Sequence, residues 1–108
     1  MYYIYIIKCT GEMLYTGITA DISRRMKEHF SRSERCAKFT KSHKAESLEA
    51  LWTAPDRSTA SKLEWRIKKL SRKEKLLLIG SPKRITTLFP ELPELFPVKD
   101  YSLDEMLK

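Results

Sequence analysis

The stretch YYIYIIKCTGEMLYTGI, residues 2–18, decides the fold. Residues 2–8 are mostly aromatic or β-branched and place apolar side chains on both faces, which predicts a strand that is covered on two sides. A turn that contains Gly11 follows, and residues 13–18 form a second short strand. Two such runs around a short turn are typical of a β-hairpin.

The register of this hairpin determines where two tyrosines lie. With the loop at residues 10–12, Ile7 lies opposite Tyr15, and Tyr5 lies opposite Gly17. Tyr5 and Tyr15 are then diagonal neighbours on one face of the hairpin, and Gly17 leaves open space beside Tyr5. A slip of one residue would place the two tyrosines on opposite faces.

The residues after the hairpin alternate between helix and strand patterns. Ile22, Met26 and Phe30 are spaced by four, which predicts an amphipathic helix over residues 22–30. Residues 46–54 have helix propensity, but their length and position favour a third strand. The order of strands and helices indicates an α+β fold.

Two more helices are predicted in the second half of the chain. Asp56 and Ser58 open the first, whose buried stripe is Ala60, Leu63, Ile67 and Leu70. Ser71 and Glu74 form a capping box that starts the second, and Gly80 is expected just after its end, as the C′ residue. We divide the chain into a domain over residues 1–82 and a Pro-containing tail over residues 83–108, either packed on the domain or disordered. The tail has no helix or strand period before Leu103–Leu107.

The composition of the chain indicates its kind of partner and its cellular compartment. Of the 108 residues, 42% are hydrophobic, and 21 Lys and Arg against 14 Asp and Glu give a net charge of +7, which favours a polyanionic partner. No apolar run approaches the length of a membrane span, and the apolar N-terminus lacks the pattern of a signal peptide. The two cysteines, Cys9 and Cys36, fit a reducing compartment. We therefore expect a cytoplasmic protein with no membrane partner.

Three charged or titratable residues lie beside the predicted apolar stripes. Arg25 and His29 are four apart, so they lie along one face of their helix, whereas Arg24 points to solvent. Glu64 lies beside the apolar seam of its helix, in a basic stretch. Each has an ordinary structural explanation: Arg25 pairs with an acid, His29 interacts with the helix dipole, and Glu64 pairs with Lys68. The tyrosines taken singly would be packing residues.

The order and spacing of these residues resemble the GIY-YIG nuclease superfamily, in its small stand-alone bacterial branch. Tyr3-Ile4-Tyr5 and Tyr15-Thr16-Gly17 are similar to the two motifs that name the family, over a resemblance spanning roughly residues 2–75. Arg25 follows Tyr15 at the family's spacing, and His29 occupies a position that the family fills with Tyr or His. Glu64 matches the metal-binding glutamate.

The sequence also departs from the family pattern. Tyr3 stands where the first motif has Gly, and Thr16 stands where the second has Ile. Ile18 occupies a position where some members carry Lys, and the chain contains no Asn, which many members carry beyond the glutamate helix. A mechanism that requires that Lys is therefore in question, and whatever the Asn supports is either supplied by another residue or missing.

The resemblance implies a three-stranded antiparallel sheet flanked by helices and a metal-dependent DNA endonuclease. Glu64 would hold one Mg²⁺ or Mn²⁺ ion, and Arg25 would offset charge on the phosphoryl group. Tyr5, Tyr15 or His29 would deprotonate the attacking water; a free Tyr titrates near pH ~10, whereas the unperturbed pKa of His is ~6.5.

Basic residues near the predicted site would track the DNA backbone without reading sequence, namely Arg24, Lys27, Arg32, Lys38, Lys41 and Lys44. We therefore expect low sequence specificity, with a preference for branched, nicked or damaged DNA, in DNA repair or recombination. Two alternatives remain at this stage. One is a nucleic-acid-binding module that cleaves slowly or not at all, and the other is an interaction protein that captures a partner through Leu92–Phe96.

Overall fold

The computed structural model describes residues 1–31 and 42–108. In chain order the elements are β1 (Tyr2–Cys9), a 3-10 turn (Thr10–Glu12), β2 (Met13–Thr19), α1 (Ile22–Phe30), β3 (Ala45–Ala54), α2 (Arg57–Lys69), α3 (Arg72–Gly80), a 3-10 turn (Pro82–Arg84), α4 (Ile85–Leu88), β4 (Phe96–Pro97) and α5 (Leu103–Met106). Each predicted helix and strand up to residue 79 is present. Residues 46–54 form a strand rather than a helix, as predicted.

The antiparallel sheet has the order β2-β1-β3-β4, with β1 in its interior. The hairpin register is the predicted one, with Ile7 opposite Tyr15 and Tyr5 opposite Gly17. The α+β prediction is confirmed, but the sheet has four strands rather than three. The additional strand, β4, is short and comes from the C-terminal segment, where Phe96 pairs with Thr53 of β3. Its two residues carry no alternating pattern from which a strand could be predicted.

Two hydrophobic clusters cover the two faces of β1. Ile4 and Ile6 point to the face on which α2 packs, with Leu63 and Ile67. Tyr5, Ile7 and Cys9 point to the opposite face, where Ile22 and Met26 of α1 pack against them. The alternation of β1 therefore sends Tyr5 towards α1, which is the helix that carries Arg25 and His29.

The helix ends are defined by side-chain caps. The Asp21 carboxylate accepts a hydrogen bond from the backbone N–H of Arg24 at 3.1 Å, and Asp56 caps α2 in the same way. The predicted capping box of Ser71 and Glu74 begins α3. The prediction for Gly80 is wrong: Gly80 is the last residue of α3, and Ser81 follows it as the C-cap with φ −146°.

The segment after α3 contributes to the core on the α2 face. Ile85, Phe89, Leu92 and Leu95 are buried there. Because Leu92 and Leu95 are buried, the interaction surface predicted over Leu92–Phe96 is wrong for these two residues; Phe96 is exposed. The domain boundary at residue 82 stays a prediction. Within the described parts of the chain, no helix has the length and apolar character to cross a bilayer.

Candidate active site

The hydroxyl group of Tyr5 is the centre of a hydrogen-bonded cluster. Its oxygen lies 2.7 Å from Nε2 of His29, and Nε of Arg25 donates to it at 3.4 Å. The rings of Tyr5 and Tyr15 have centroids 6.4 Å apart, as the hairpin register predicts for diagonal neighbours. The structure thus brings together four of the five residues proposed from the sequence around one phenol oxygen.

The position of His29 follows from the geometry of α1. It lies one turn beyond Arg25 and next to the buried stripe, so its ring enters the core and has 0% exposure. Both tyrosine rings meet it edge-on, with centroids 5.5 Å away for Tyr5 and 5.4 Å for Tyr15. Packing on two sides holds the imidazole in place, which is how Nε2 comes to face the Tyr5 oxygen.

The surroundings keep both members of this pair neutral near pH 7. Burial, with a further contribution from the positive charge of Arg25, lowers the pKa of His29 to about 4. Burial also raises the pKa of Tyr5 far above its usual value, although the hydrogen bond from Arg25 opposes this. Neutral imidazole has one nitrogen able to accept a proton, and the phenol has one proton to donate. A hydrogen bond from the Tyr5 hydroxyl group to Nε2 of His29 is therefore consistent with a neutral phenol and a neutral imidazole.

Gly17 makes room for the Tyr5 side chain. The space expected beside Tyr5 is filled by the Tyr5 ring itself, which lies across Gly17 on the neighbouring strand. A Cβ atom at residue 17 would lie 2.6 Å from Cζ of Tyr5, would collide with the Tyr5 hydroxyl oxygen, and would lie 3.1 Å from Cε2 of Tyr15. Any side chain at this position would displace the phenol from His29.

Glu28 belongs to the cluster and was missed from the sequence. Its carboxylate accepts a 2.8 Å hydrogen bond from Arg25 and lies 3.5 Å from Nε of Arg24. The acidic partner required by a half-buried arginine is therefore on the same helix. The three-residue spacing between Arg25 and Glu28 was the signal that could have found it.

Glu64 approaches the cluster from α2, on the other side of the sheet. This helix packs on β2 as well as on β1, and Nζ of Lys68 lies 6.0 Å from the centre of the Tyr15 ring. The Glu64 carboxylate, 3.5 Å from the Lys68 ammonium, is close enough to raise the pKa of Tyr5 electrostatically. The fifth proposed residue therefore joins the cluster beside the edge strand β2.

The donor set at Glu64 fits a hard divalent cation that keeps most of its water. The side chain is 25% exposed and offers carboxylate oxygens. Among residues 1–31 and 42–108, no three His, Cys, Asp or Glu side chains are grouped as a ready-made metal cage. Mg²⁺ is commonly held by one or two carboxylates plus substrate phosphates, so a single glutamate suffices, and Lys68 would have to release it.

The residues proposed to track DNA are dispersed. Arg24 adjoins the cluster through its ion pair with Glu28. Lys27 instead lines a recess with Phe30, Ser31 and Leu107, and the backbone of Lys44 is bonded to Thr10 at the turn end of the sheet. Arg32, Lys38 and Lys41 lie outside the described residues.

Comparison with known proteins identifies the class of this fold and site. Residues 1–76 match the GIY-YIG catalytic domain. A UPF0213 protein of Yersinia pestis (strain Pestoides F) and one of Yersinia pseudotuberculosis (serotype O:3, strain YPIII) are each 40% identical to this chain over 90 residues, covering 82% of this chain and 93% of the relative. The solution NMR structure of a UPF0213 protein from Bacillus halodurans is 37% identical, covers 81% of this chain and 95% of that one, and has a TM-score of 0.48.

The chain belongs to the GIY-YIG superfamily, among its small single-domain members, which confirms the resemblance found from the sequence. The catalytic domain of this family is of the nuclease type and acts on nucleic acid, generally with a divalent metal ion. The names of the UPF0213 relatives state no activity.

Proposed function

We propose that this protein is a metal-dependent DNA endonuclease that hydrolyses phosphodiester bonds with low sequence specificity, and that it acts on branched, nicked or damaged DNA in repair or recombination. The observation that carries the proposal is the hydrogen-bonded arrangement of Arg25, Tyr5 and His29, with Glu64 beside it. An arginine for the phosphate, a proton acceptor and a carboxylate for the metal are the groups that phosphodiester hydrolysis needs.

The proposed proton path runs through Tyr5 to His29. The Tyr5 oxygen takes a proton from the attacking water while the phenol proton moves to Nε2 of His29 across the 2.7 Å contact. The hydroxide formed attacks phosphorus, and the bond to the leaving oxygen breaks. Tyr5 is neutral before and after the step, so the high pKa of the phenol is no obstacle. This assigns the role of general base to His29 acting through Tyr5.

Arg25 links phosphate binding to this proton path. Its positive charge is one of the two causes that lower the pKa of His29. A phosphate group beside Arg25 would offset that charge, so His29 would gain proton affinity when the substrate is bound. Tyr15 would hold the His29 ring against Tyr5 through its edge contact.

Glu64 is the proposed metal ligand. The bound Mg²⁺ or Mn²⁺ would supply charge stabilisation of the phosphoryl group and of the leaving oxygen. Glu64 pairs with Lys68 at 3.5 Å, which holds the carboxylate near the cluster.

The rest of the DNA surface is proposed from charge. We assign DNA-backbone contacts to six of the 21 Lys and Arg residues of the chain, namely Arg24, Lys27, Arg32, Lys38, Lys41 and Lys44. Of these, Arg24 has the best support, because it lies next to Arg25 and its side chain is 62% exposed. The buried free thiol of Cys9 supports a reducing compartment, and we propose the cytoplasm.

Cleavage of a panel of linear, nicked and branched DNAs, with Mg²⁺, Mn²⁺ or EDTA, tests the proposal. We expect metal-dependent cutting by the wild type and a loss of at least about 100-fold in Glu64→Gln and in Tyr5→Phe. Glu46→Gln is the control for Glu64, because Glu46 is an exposed acid on β3. Tyr101→Phe is the control for Tyr5, because it also removes one hydroxyl hydrogen bond, to the backbone oxygen of Leu48.

The two control variants distinguish the loss of a site residue from a general loss of folding or stability. Both control variants should cut at near wild-type rates. Cutting that survives Glu64→Gln would show that the metal ligand is wrong. A wild-type protein that binds DNA but cuts none of the panel under any metal would contradict the endonuclease proposal and favour a binding module.

A further inference from the structure

Trp65 on α2 is a large aromatic side chain left open to solvent. Its side chain is 62% exposed, whereas the other tryptophan of the chain, Trp52, has 0% exposure and donates its indole N–H to the Pro82 carbonyl. Exposing an indole forgoes the gain that burial of so much apolar surface would bring. Trp65 has no role in the core, so the reason for a tryptophan at this position lies at the surface.

The surroundings of Trp65 are basic. Helix α2 carries five basic residues and one acidic residue, Glu64, which immediately precedes Trp65. Nζ of Lys69 lies 5.1 Å from the centre of the indole ring. Lys62 lies one turn earlier on the same side of the helix. The indole ring can stack on a planar group, and the lysines on either side of it can each pair with a negative charge that flanks that group.

An open recess provides access to the indole. It has a volume of about 370 Å³ and is lined by Ser61, Lys62, Trp65 and Arg66. Arg66 forms one wall of the recess. Its guanidinium is held in place by an ion pair with Glu91 and lies 5.7 Å from the centre of the Phe89 ring. Lys69 is not among the residues that line this recess.

From this geometry we infer that Trp65 is a stacking platform for an unpaired base of the DNA substrate, with Lys62 and Lys69 contacting the flanking phosphates. Stacking on an aromatic side chain between cations is the common way in which proteins bind single-stranded nucleic acid. The base must be unpaired or terminal, because inside a duplex both of its faces are covered by neighbouring bases. The inference rests on the proposed nuclease function and deepens it: the substrate has a single-stranded or frayed nucleotide that contacts α2 at Trp65.

Intrinsic fluorescence tests the inference without any cleavage. The intact protein in EDTA is titrated with a twelve-residue oligothymidylate at fixed salt, and tryptophan emission is recorded. Trp65 is exposed and Trp52 is buried and hydrogen-bonded, so quenching reports on Trp65. We expect strong quenching by the single strand and little by a blunt duplex of equal length. Equal quenching by the duplex, or none by the single strand, would overturn the inference.

Binding of a labelled oligothymidylate by the variants, followed by anisotropy, gives the second readout. Trp65→Leu should weaken binding roughly tenfold, the loss of one base stack, and Trp65→Phe should restore part of it. Phe96→Leu is the matched control, because Phe96 is also 62% exposed but lies on β4. Unchanged affinity in Trp65→Leu would overturn the inference.

This result does not depend on the proposed chemistry. Glu64→Gln should keep the quenching, since binding is measured without metal. If the wild type cuts none of the DNAs with any metal but the quenching is as expected, the proposed function fails while the stacking result stands. If wild-type cutting needs Glu64 but Trp65→Leu binds normally, only the stacking inference fails.

Discussion

The Tyr5 hydroxyl oxygen and Nε2 of His29 lie 2.7 Å apart, and both side chains are almost completely buried. Tyr5 comes from β1, an interior strand of the sheet, and His29 from the last turn of α1, so the contact joins two of the four elements that contribute residues to the site. Because the imidazole is buried, it is held in its neutral form, and the folded protein must therefore respond to acid in a predictable way.

The first prediction concerns stability against pH. The pKa of His29 is lowered from 6.5 to about 4 on folding. As pH falls below 6.5, the unfolded chain binds a proton on this imidazole and the folded protein does not, so stability is lost between pH 6.5 and pH 4. This lowering corresponds to about 3 kcal/mol of the free energy of unfolding. Urea unfolding at pH 7.5 and at pH 4 measures it.

The control for this prediction is His29→Gln, which fills similar space and does not titrate. The variant should lose about 3 kcal/mol less than the wild type over the same pH interval, whatever its stability at pH 7.5. Comparing the two proteins removes the contribution of groups that titrate in both, such as Asp56 and Glu74, whose pKa values are lowered by their capping hydrogen bonds. An identical loss in both proteins would contradict the assignment of a neutral, buried His29.

The second prediction concerns the glycine beneath Tyr5. Gly17→Ala places a methyl group 2.6 Å from Cζ of Tyr5, so the ring must move away from His29. We expect a loss of stability of about 1–3 kcal/mol and, if the proposed path is right, roughly 100-fold slower DNA cleavage. Thermal unfolding and single-turnover cleavage measure the two effects.

Gly80→Ala is the matched substitution for Gly17→Ala. A Cβ atom at residue 80 meets nothing within 4 Å, and Gly80 lies at the end of α3. Alanine there should leave cleavage unchanged and stabilise the protein by up to about 1 kcal/mol, because alanine has the higher helix propensity. A Gly17→Ala protein as active and stable as Gly80→Ala would contradict the placement of the Tyr5 ring.

Local patterns predicted much of this architecture. The turn at Gly11 and the alternation of β1 are short-range features, and they sufficed to place Tyr5 opposite Gly17. The four-residue spacing of Arg25 and His29 likewise placed both on one face of α1. These relationships depend on neighbours in sequence, so the period of each element determines them.

Features that depend on distant parts of the chain could not be predicted in the same way. The pairing of Phe96 with Thr53, which adds β4, joins residues far apart in sequence. The burial of Leu92 and Leu95 depends on how a segment without helix or strand period crosses the α2 face. The Tyr5 ring lies across Gly17 because of the side-chain rotamer and packing, and a register alone does not specify these.

The third prediction separates two adjacent arginines of α1. Arg25 donates to Tyr5 and Glu28 with its side chain 22% exposed, whereas Arg24 is 62% exposed. Arg25→Ala should slow DNA cleavage by about 100-fold under single-turnover conditions, because it removes both the phosphate charge partner and a donor to the Tyr5 oxygen. Arg24→Ala should change the rate only a few-fold. It should mainly raise KM at low salt and make KM less dependent on salt concentration, because one phosphate contact is lost. Equal effects in the two variants would assign both arginines to backbone contact alone.

The fourth prediction tests whether the C-terminal segment belongs to the folded domain. Leu95 is 3% exposed and packs in the cluster on the α2 face, whereas the next residue, Phe96, is 62% exposed. Leu95→Ala should lower the free energy of unfolding by about 2–4 kcal/mol, through lost burial and the cavity left behind, and Phe96→Ala by no more than about 0.5 kcal/mol. Urea unfolding of the two variants under identical conditions gives the difference directly. If Leu95→Ala is as stable as Phe96→Ala, the segment does not stabilise the domain, and the boundary at residue 82 would mark the end of the cooperative unit. A large difference would extend that unit at least to Leu95.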